Sequence, residues 1–411
     1  MAVGSDRPSR QGVRLLGPAF VAAVAYVDPG NVAANLTAGA QYGYLLVWVL
    51  VAANLMAMLV QYLSAKLGLV TGRSLPELLG HRLPRGRRLA YWVQAEIVAA
   101  ATDLAEVIGG AIALHILFGI PLLAGGVIVG VVSMILLGVQ SRRGQQPFEF
   151  VVVGLLAVIT LGFVSGLFYG PISWGEAVAG MAPRFEGTQT VLLAAGMLGA
   201  TVMPHAIYVH SALARDRHQG AHAHPGTLGR LLRATRWDVG LSLLVAGSVN
   251  IAMLLLAAAN LSGVSGTDSI EGAHAAITTA LGPAVGVLFG VGLLASGLAS
   301  TAVGSYAGSE IMGGLLRWRI PQMLRRVLTL IPALLVIASG VDPTWALVLS
   351  QVLLSIGIPF AMIPLVRLTG ARAVMGRHAN STPLQTVAWV VVALIVALNA
   401  VLLWLTLTGQ G

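Results

Sequence analysis

Polar residues along this chain gather in clusters. Between the clusters, apolar residues run on for about 20 positions at a time, the length that crosses a hydrocarbon core as a helix. Taking the clusters as boundaries gives eleven spans, at 15–40, 44–67, 90–118, 121–140, 148–170, 188–213, 237–261, 273–312, 325–341, 343–366 and 383–408. The eighth is longer than one simple crossing, so part of it should project beyond the membrane. The alternating segments of roughly ten residues that build a membrane β-barrel do not appear. The pattern predicts an all-α polytopic protein with a single transmembrane domain over 1–411 and no soluble domain.

Composition agrees: 57% of residues are hydrophobic and 9% charged, where a soluble domain carries roughly a quarter charged. The opening "MAVGSDRPSRQGVRLLGPAF" has no small-residue cleavage site and runs straight into the first span, so it does not read as a cleavable signal. The absence of cysteine excludes disulfides, thiolate metal sites and iron–sulfur chemistry. A net charge of +9 raises the question of nucleic acid, and the distribution of the charge answers it. With a cytoplasmic N-terminus, 23 of the 24 Lys+Arg fall on the cytoplasmic side, within 7–14, 66–88, 142–143, 215–236, 317–326 and 367–377, leaving Arg184 alone outside. That is the positive-inside pattern. It places the C-terminus outside and calls for a lipid bilayer but no nucleic acid; no obligate protein partner is inferred. The preference for Arg over Lys fits a GC-rich bacterium, hence the inner membrane.

Two polar stretches stand apart. "SLPELLGHRLPRGRR" reads as an interfacial helix. "RDRHQGAHAHPGTLGR" reads as a solvated loop, its His222-x-His224 pair notwithstanding.

The informative break lies in the first span, where "AYVDPGNVAAN" sets Asp28, Pro29, Gly30 and Asn31 in an apolar run. Proline removes an N–H, clashes with the preceding turn and biases the residue before it away from helix. The sixth span echoes the pattern in "ATVMPHA": Ala25 matches Ala200, Val27 matches Val202, Asp28 matches Met203 and Pro29 matches Pro204, an offset of 175 residues. Five spans separate the two, and an odd number inverts the second unit relative to the first. Paired, proline-interrupted segments in inverted halves point to a transporter's central site. The repeats are expected over about 15–170 and 188–366, with an extra helix over about 383–408. Unwound backbone at membrane depth requires protein or a water-filled cavity around it, so the two breaks should face each other.

Asp28 offers a charged oxygen, Asn31 an amide oxygen, Ala25 and Ala200 the carbonyls freed by unwinding, and Met203 a thioether. Hard Mg²⁺ and Ca²⁺ prefer all-oxygen shells and a thioether suits softer ions, so the site reads as one for a divalent transition metal. In the third span, Glu96, Asp103 and Glu106 fall within an arc of about 80° at helical spacing. Three acids on one membrane helix face imply a proton relay, an ion pathway or buried ion pairs. Arg325, Arg326, His205 and His210 are the candidate partners. His205 directly follows the broken proline and is assigned protonation or gating; His210 is a candidate for the same, with neutral packing the alternative for both.

With "DPGN" at 28–31, "MPH" at 203–205, "TDLAEVIGGAIAL", "ASTAVGSYAG" and "LSQVLLSIGIPFAMIPL", nearly the whole chain resembles the natural resistance-associated macrophage proteins (Nramp). The resemblance implies a LeuT-like 5+5 inverted repeat with helices 1 and 6 broken, and proton-coupled, alternating-access uptake of Mn²⁺ and Fe²⁺, with Co²⁺, Zn²⁺ and Cd²⁺ as further substrates. It implies no prosthetic group. By that resemblance Asp28, Asn31, Ala200 and Met203 ligate the metal, and Ala25 and Gln351 join in particular conformations. Protons would pass from Asp28 by Asp103 and Glu106 toward the ninth span, apart from the metal exit. A Na⁺-coupled amino-acid or amine transporter would share the breaks but would find Met203 beside Asp28 a poor fit. A cation channel would favour a symmetric filter, and an intramembrane metalloprotease lacks H-E-x-x-H.

Overall fold

The computed structural model describes residues 17–143, 145–217, 227–267, 269–317 and 321–408. Among these, eight helices are long and apolar enough to cross a membrane. That count takes the interrupted sixth span, Thr188–Arg217, as one helix; the remaining spans are the broken first, the fourth and the ninth, with shorter apolar stretches. In chain order the helices are α1 (Pro18–Val24), α2 (Pro29–Tyr42), α3 (Val47–Thr71), α4 (Leu75–Arg82), α5 (Arg85–Phe118), α6 (Leu122–Arg143) and α7 (Gln145–Val164). Next come α8 (Trp174–Ala179), α9 (Thr188–Thr201), α10 (Pro204–Arg217), α11 (Thr227–Asn260), α12 (Ile270–Leu281) and α13 (Pro283–Leu316). The last are α14 (Gln322–Ala338), α15 (Pro343–Gly370), α16 (Arg372–Met375) and α17 (Thr382–Leu407). The His222-x-His224 loop lies outside the described residues.

Two expectations are corrected. The over-long eighth span is two helices, because Gly282 takes φ +93° between α12 and α13, a conformation side chains rarely adopt, and Pro283 starts the next helix. The first part of the stretch is therefore a separate helix, while α13, at 34 residues, is by itself still longer than one simple crossing, as expected. The basic segment after the second span is not free on the membrane surface. Ser74 and Glu77 form a reciprocal capping box that starts α4, worth about 1 kcal/mol. Leu75, Leu78 and Leu79 are buried, and Gly80 meets the Gly314 backbone of α13.

In lipid, the outside of a bundle is as apolar as its inside, so association relies on close packing and polar contacts rather than on the hydrophobic effect. The exterior carries Phe150, Leu161, Phe168 and Trp404, each more than three-fifths exposed, whereas Asn31, Asn35, Gln61, Asp103, Glu106 and Asn250 are buried. Helix α5 packs extensively on α13, with Gly110 against Gly297 at close range. Gly109 lies against Pro29, where any Cβ would strike the proline ring. That contact seats the first break directly beside the acidic helix.

Candidate metal centre

Pro29 ends the first helical run as expected. Ala25–Val27 tighten into a 3₁₀ turn, Asp28 is extended at φ −70°, ψ 167°, and α2 starts at the proline. The freed backbone is satisfied by distant side chains. Asn250 donates to the Tyr26 carbonyl at 2.8 Å, and Ser296 donates to the Val27 carbonyl at 2.5 Å. Asn35 fixes Asn250 by donating to its Oδ1 at 2.9 Å. The second break takes Val202, at φ −95°, ψ 74°, and Met203 out of helix before Pro204 restarts it.

The two breaks meet through one side chain. Asn31 Nδ2 donates to Asp28 Oδ1 at 2.7 Å and to the Ala200 carbonyl at 3.0 Å. The Asn31 backbone N–H also reaches Asp28 Oδ1, at 2.8 Å, so the carboxylate caps α2 at its positive end. Thr201 Oγ1 lies 3.4 Å from Asn31 Oδ1. Asp28, Asn31, Ala200 and Met203 are fully buried, and Ala25 shares a buried apolar cluster with Met203.

Three polar atoms here have no hydrogen-bond partner among the described residues: Asp28 Oδ2 and both amide atoms of Gln351. They converge. A Cβ placed on Gly30 would overlap the Gln351 amide and lie 3.2 Å from Asp28 Oδ2. Glycine at 30 is what lets the α15 glutamine rest beside the open carboxylate oxygen. Buried polar groups are ordinarily paired, so this convergence marks a place for a ligand. The donor set has one formal negative charge, several neutral oxygens and a sulfur. Among the described residues no cluster of three His, Cys, Asp or Glu forms a conventional metal cage. A shell of one carboxylate and several dipoles suits a cation that must leave as well as bind.

The acidic face of α5 divides into paired and unpaired members. Glu96 pairs with Arg325 at 2.7 Å, and Asp103 with Arg326 at 3.2 Å, whose Nε also donates to Ser133 at 2.7 Å. Glu106 is fully buried with neither oxygen hydrogen-bonded among the described residues. Gly304 leaves it room, since a Cβ there would come within 2.9 Å of Oε2. The charges acting on Glu106 are those of Asp103, Asp28 and Arg326. His205 lies beside this face, Nδ1 3.5 Å from Thr102 Oγ1 and Nε2 unpartnered among the described residues.

His210 is placed elsewhere. Its Nδ1 is 2.7 Å from Gln61 Oε1, and Gln61 in turn donates to the Tyr26 hydroxyl at 2.6 Å. This chain braces the first break from below and does not join the acids. Sequence reading missed Gln61, Tyr26, Asn250 and Ser296. The signal for Gln61 and Asn250 was present, as amides inside apolar spans that also carry Asn54 and Asn260; a serine there is too common to stand out.

The model for natural resistance-associated macrophage protein-like proteins (Nramp) matches residues 19–405. The chain belongs to the Nramp family. Similar family members include a divalent metal cation transporter MntH of Mycobacterium tuberculosis, 62% identical over 396 residues covering 96% of this chain and 92% of that protein. Another of the same name, from Aeromonas hydrophila, is 49% identical over 392 residues, 95% of each chain. Among solved structures, an Eremococcus coleocola manganese transporter superposes with TM-score 0.87 at 30% identity, over 97% of this chain and 88% of that one. MhsT in complex with L-phenylalanine superposes with TM-score 0.61 at 15% identity, over 96% of this chain and all of MhsT. That likeness concerns the fold alone, and it is the LeuT-like fold that the resemblance to the family implies. Of the stretches that carried the resemblance, "DPGN" at 28–31 and "MPH" at 203–205 are the two that lie at the breaks.

Proposed function

We propose that this chain imports divalent transition-metal ions, Mn²⁺ and Fe²⁺ foremost, across a bacterial inner membrane by alternating access coupled to proton entry. The observation that carries this reading is the meeting of the two breaks. Asn31 bridges Asp28 to Ala200, while Asp28 Oδ2 and the Gln351 amide converge unpartnered. The ion would be held by Asp28, Asn31, the Ala200 carbonyl and the Met203 thioether, with Ala25 and Gln351 exchanging as the inverted units, about 15–170 and 188–366, rock about the site. The names borne by the relatives support a divalent metal substrate.

Glu106, packed beside the first break and held by no arginine hydrogen bond, is the proton acceptor of this reading. A dication arriving at Asp28 repels a proton held nearby, and the Asp103–Arg326 and Glu96–Arg325 pairs extend a polar route toward α14. Closure on the arginine-rich side is supplied by side chains that tie the movable ends. Asp238 accepts from the Gly17 and Ala19 N–H groups at the start of α1, and Arg217 at the end of α10 pairs with Glu149 at 3.2 Å. An inside-negative potential assists a dication at about 2.3 kcal/mol per charge per 100 mV.

Proteoliposomes test the reading. Mn²⁺ uptake should be Na⁺-independent, resist excess Ca²⁺ and Mg²⁺, and acidify the lumen. A requirement for Na⁺ would favour the amino-acid-transporter alternative, and uptake without lumenal acidification would remove the proton from the mechanism.

A further inference from the structure

At the arginine-rich end of the bundle, a cavity of about 620 Å³ opens between the start of α5, the end of α15 and the short helix α4. Pro359 and Pro364 lie in its wall, and each removes a helical N–H from α15. Most of the lining is apolar, with Leu83, Tyr91, Phe360 and Ile363 prominent, and Phe360 is 43% exposed. A second hollow of about 640 Å³ lies farther along the same two helices, bordered by Leu89, Val93, Ile97 and Ile356, all outward-facing apolar side chains. Neither lining contains an acid.

The first cavity does contain two arginines, Arg82 and Arg367, both exposed. Neither makes an ion pair or hydrogen bond among the described residues. Their neighbours behave differently: Arg88 and Arg317 both donate to the Gly80 carbonyl. Two uncommitted guanidinium groups over a lipid-facing apolar groove match the two ends of one molecule. Basic pockets between membrane helices select anionic headgroups, and planar guanidinium groups bind phosphate oxygens in pairs.

We propose that this groove is a binding site for an anionic diacyl phospholipid. The headgroup phosphate lies between Arg82 and Arg367, and an acyl chain runs over Tyr91 and Phe360 toward Ile356. A net-negative headgroup is preferred to a zwitterionic one because the lining supplies two positive charges and no acid. Occupancy would brace α15, which carries Gln351, against α5, which carries the acidic face.

Native mass spectrometry of the full-length protein in detergent tests the site with dioleoyl phosphatidylglycerol and dioleoyl phosphatidylcholine as probes. The phosphatidylglycerol adduct should survive activation that strips phosphatidylcholine. Arg82→Gln with Arg367→Gln should lower its retention roughly 10- to 30-fold, at the strength expected per basic residue near a charged lipid. Arg87→Gln with Arg372→Gln, exposed arginines at the same end but outside the cavity, should leave it unchanged. Equal loss in both pairs would reduce the effect to diffuse surface charge and overturn the site. Unchanged retention in the Arg82/Arg367 pair, equal retention of phosphatidylcholine, or full displacement by soluble glycerol phosphate would overturn it as well.

Discussion

Asp28 and Asp103 are both buried aspartates, on elements packed side by side, yet they are held in opposite ways. Asp103 faces a guanidinium, Arg326, at 3.2 Å. Asp28 faces no cation: one oxygen is held by the Asn31 amide and N–H, and the other is open among the described residues. A carboxylate compensated by a fixed arginine is already neutralised and leaves little for a mobile ion to gain. A carboxylate compensated only by dipoles keeps a net charge that a mobile cation can satisfy. On the function proposed above, the ion goes to the dipole-compensated site at Asp28 and the proton to Glu106, whose carboxylate feels the charges of both Asp28 and Asp103.

The largest effect expected from this contrast is at Asp28. Asp28→Ala should abolish metal uptake while leaving a folded protein, since it removes a midplane charge whose burial is costly. The loss should exceed the ~10–100-fold typical of changes behind a metal's direct ligands. Wild-type uptake rates in proteoliposomes would dismiss the site.

Arg326→Gln should act instead on stability. Stranding a buried acid costs about 3–5 kcal/mol, read as a lowered midpoint of thermal unfolding in detergent. Adding Asp103→Asn should recover most of it, because the stranded charge goes too. If the double variant is no more stable than Arg326→Gln alone, the pair is not what holds Asp103.

Glu106→Gln keeps shape and hydrogen bonding but cannot titrate. Metal uptake should persist in part while its dependence on external pH flattens and lumenal acidification falls. Retained acidification with lost metal binding would move Glu106 into the metal shell.

Met203→Ala sharpens the ligand chemistry. An all-oxygen shell gives soft ions no advantage, so Ca²⁺ should compete better and Cd²⁺ should lose affinity by roughly tenfold, with Mn²⁺ affected less. Ca²⁺ competition equal to wild type would reduce the thioether to packing.

The smallest effect expected is at Gly30. Its new Cβ in Gly30→Ala would push the Gln351 amide away, lowering Mn²⁺ affinity a few-fold. In a Gln351→Ala background the same substitution should cost much less, because only the contact at 3.2 Å from Asp28 Oδ2 is left. Additive losses would show that Gly30 matters for the backbone and not for Gln351.

Much of this site was legible in the chain, and the reason is local chemistry. Proline removes an N–H and disfavours helix at the residue before it, so Pro29 and Pro204 marked both interruptions, although Pro332 in α14 and Pro359 and Pro364 in α15 are carried inside continuous helices. An acid in an apolar run needs an explanation whatever surrounds it, which singled out Asp28 and the α5 acids. The eleven spans followed from the same physics: backbone that meets lipid must be helical, and helical length is set by the bilayer. The failures were local too. A single Gly-Pro step split the eighth span, and the basic segment after the second span docked because a capping box and three buried leucines turned it inward.

Packing alone sets how each helix is rotated about its axis and which residues far apart in sequence therefore meet. Asn31 reaches Ala200 across 169 residues, and Glu96 reaches Arg325 across 229. His210 turned toward Gln61 and away from the acids, and Gln351 came to rest over Gly30. In a soluble helix the apolar stripe would announce its inward face, but a helix bathed in lipid is apolar all round. The spans, the two breaks and the types of ligand atom they carry follow from the order of residues along the chain. Rotation, and with it the choice of partner, was settled by close glycine contacts and by the pairing of most buried polar groups, with Asp28, Gln351 and Glu106 among those left open in the described residues.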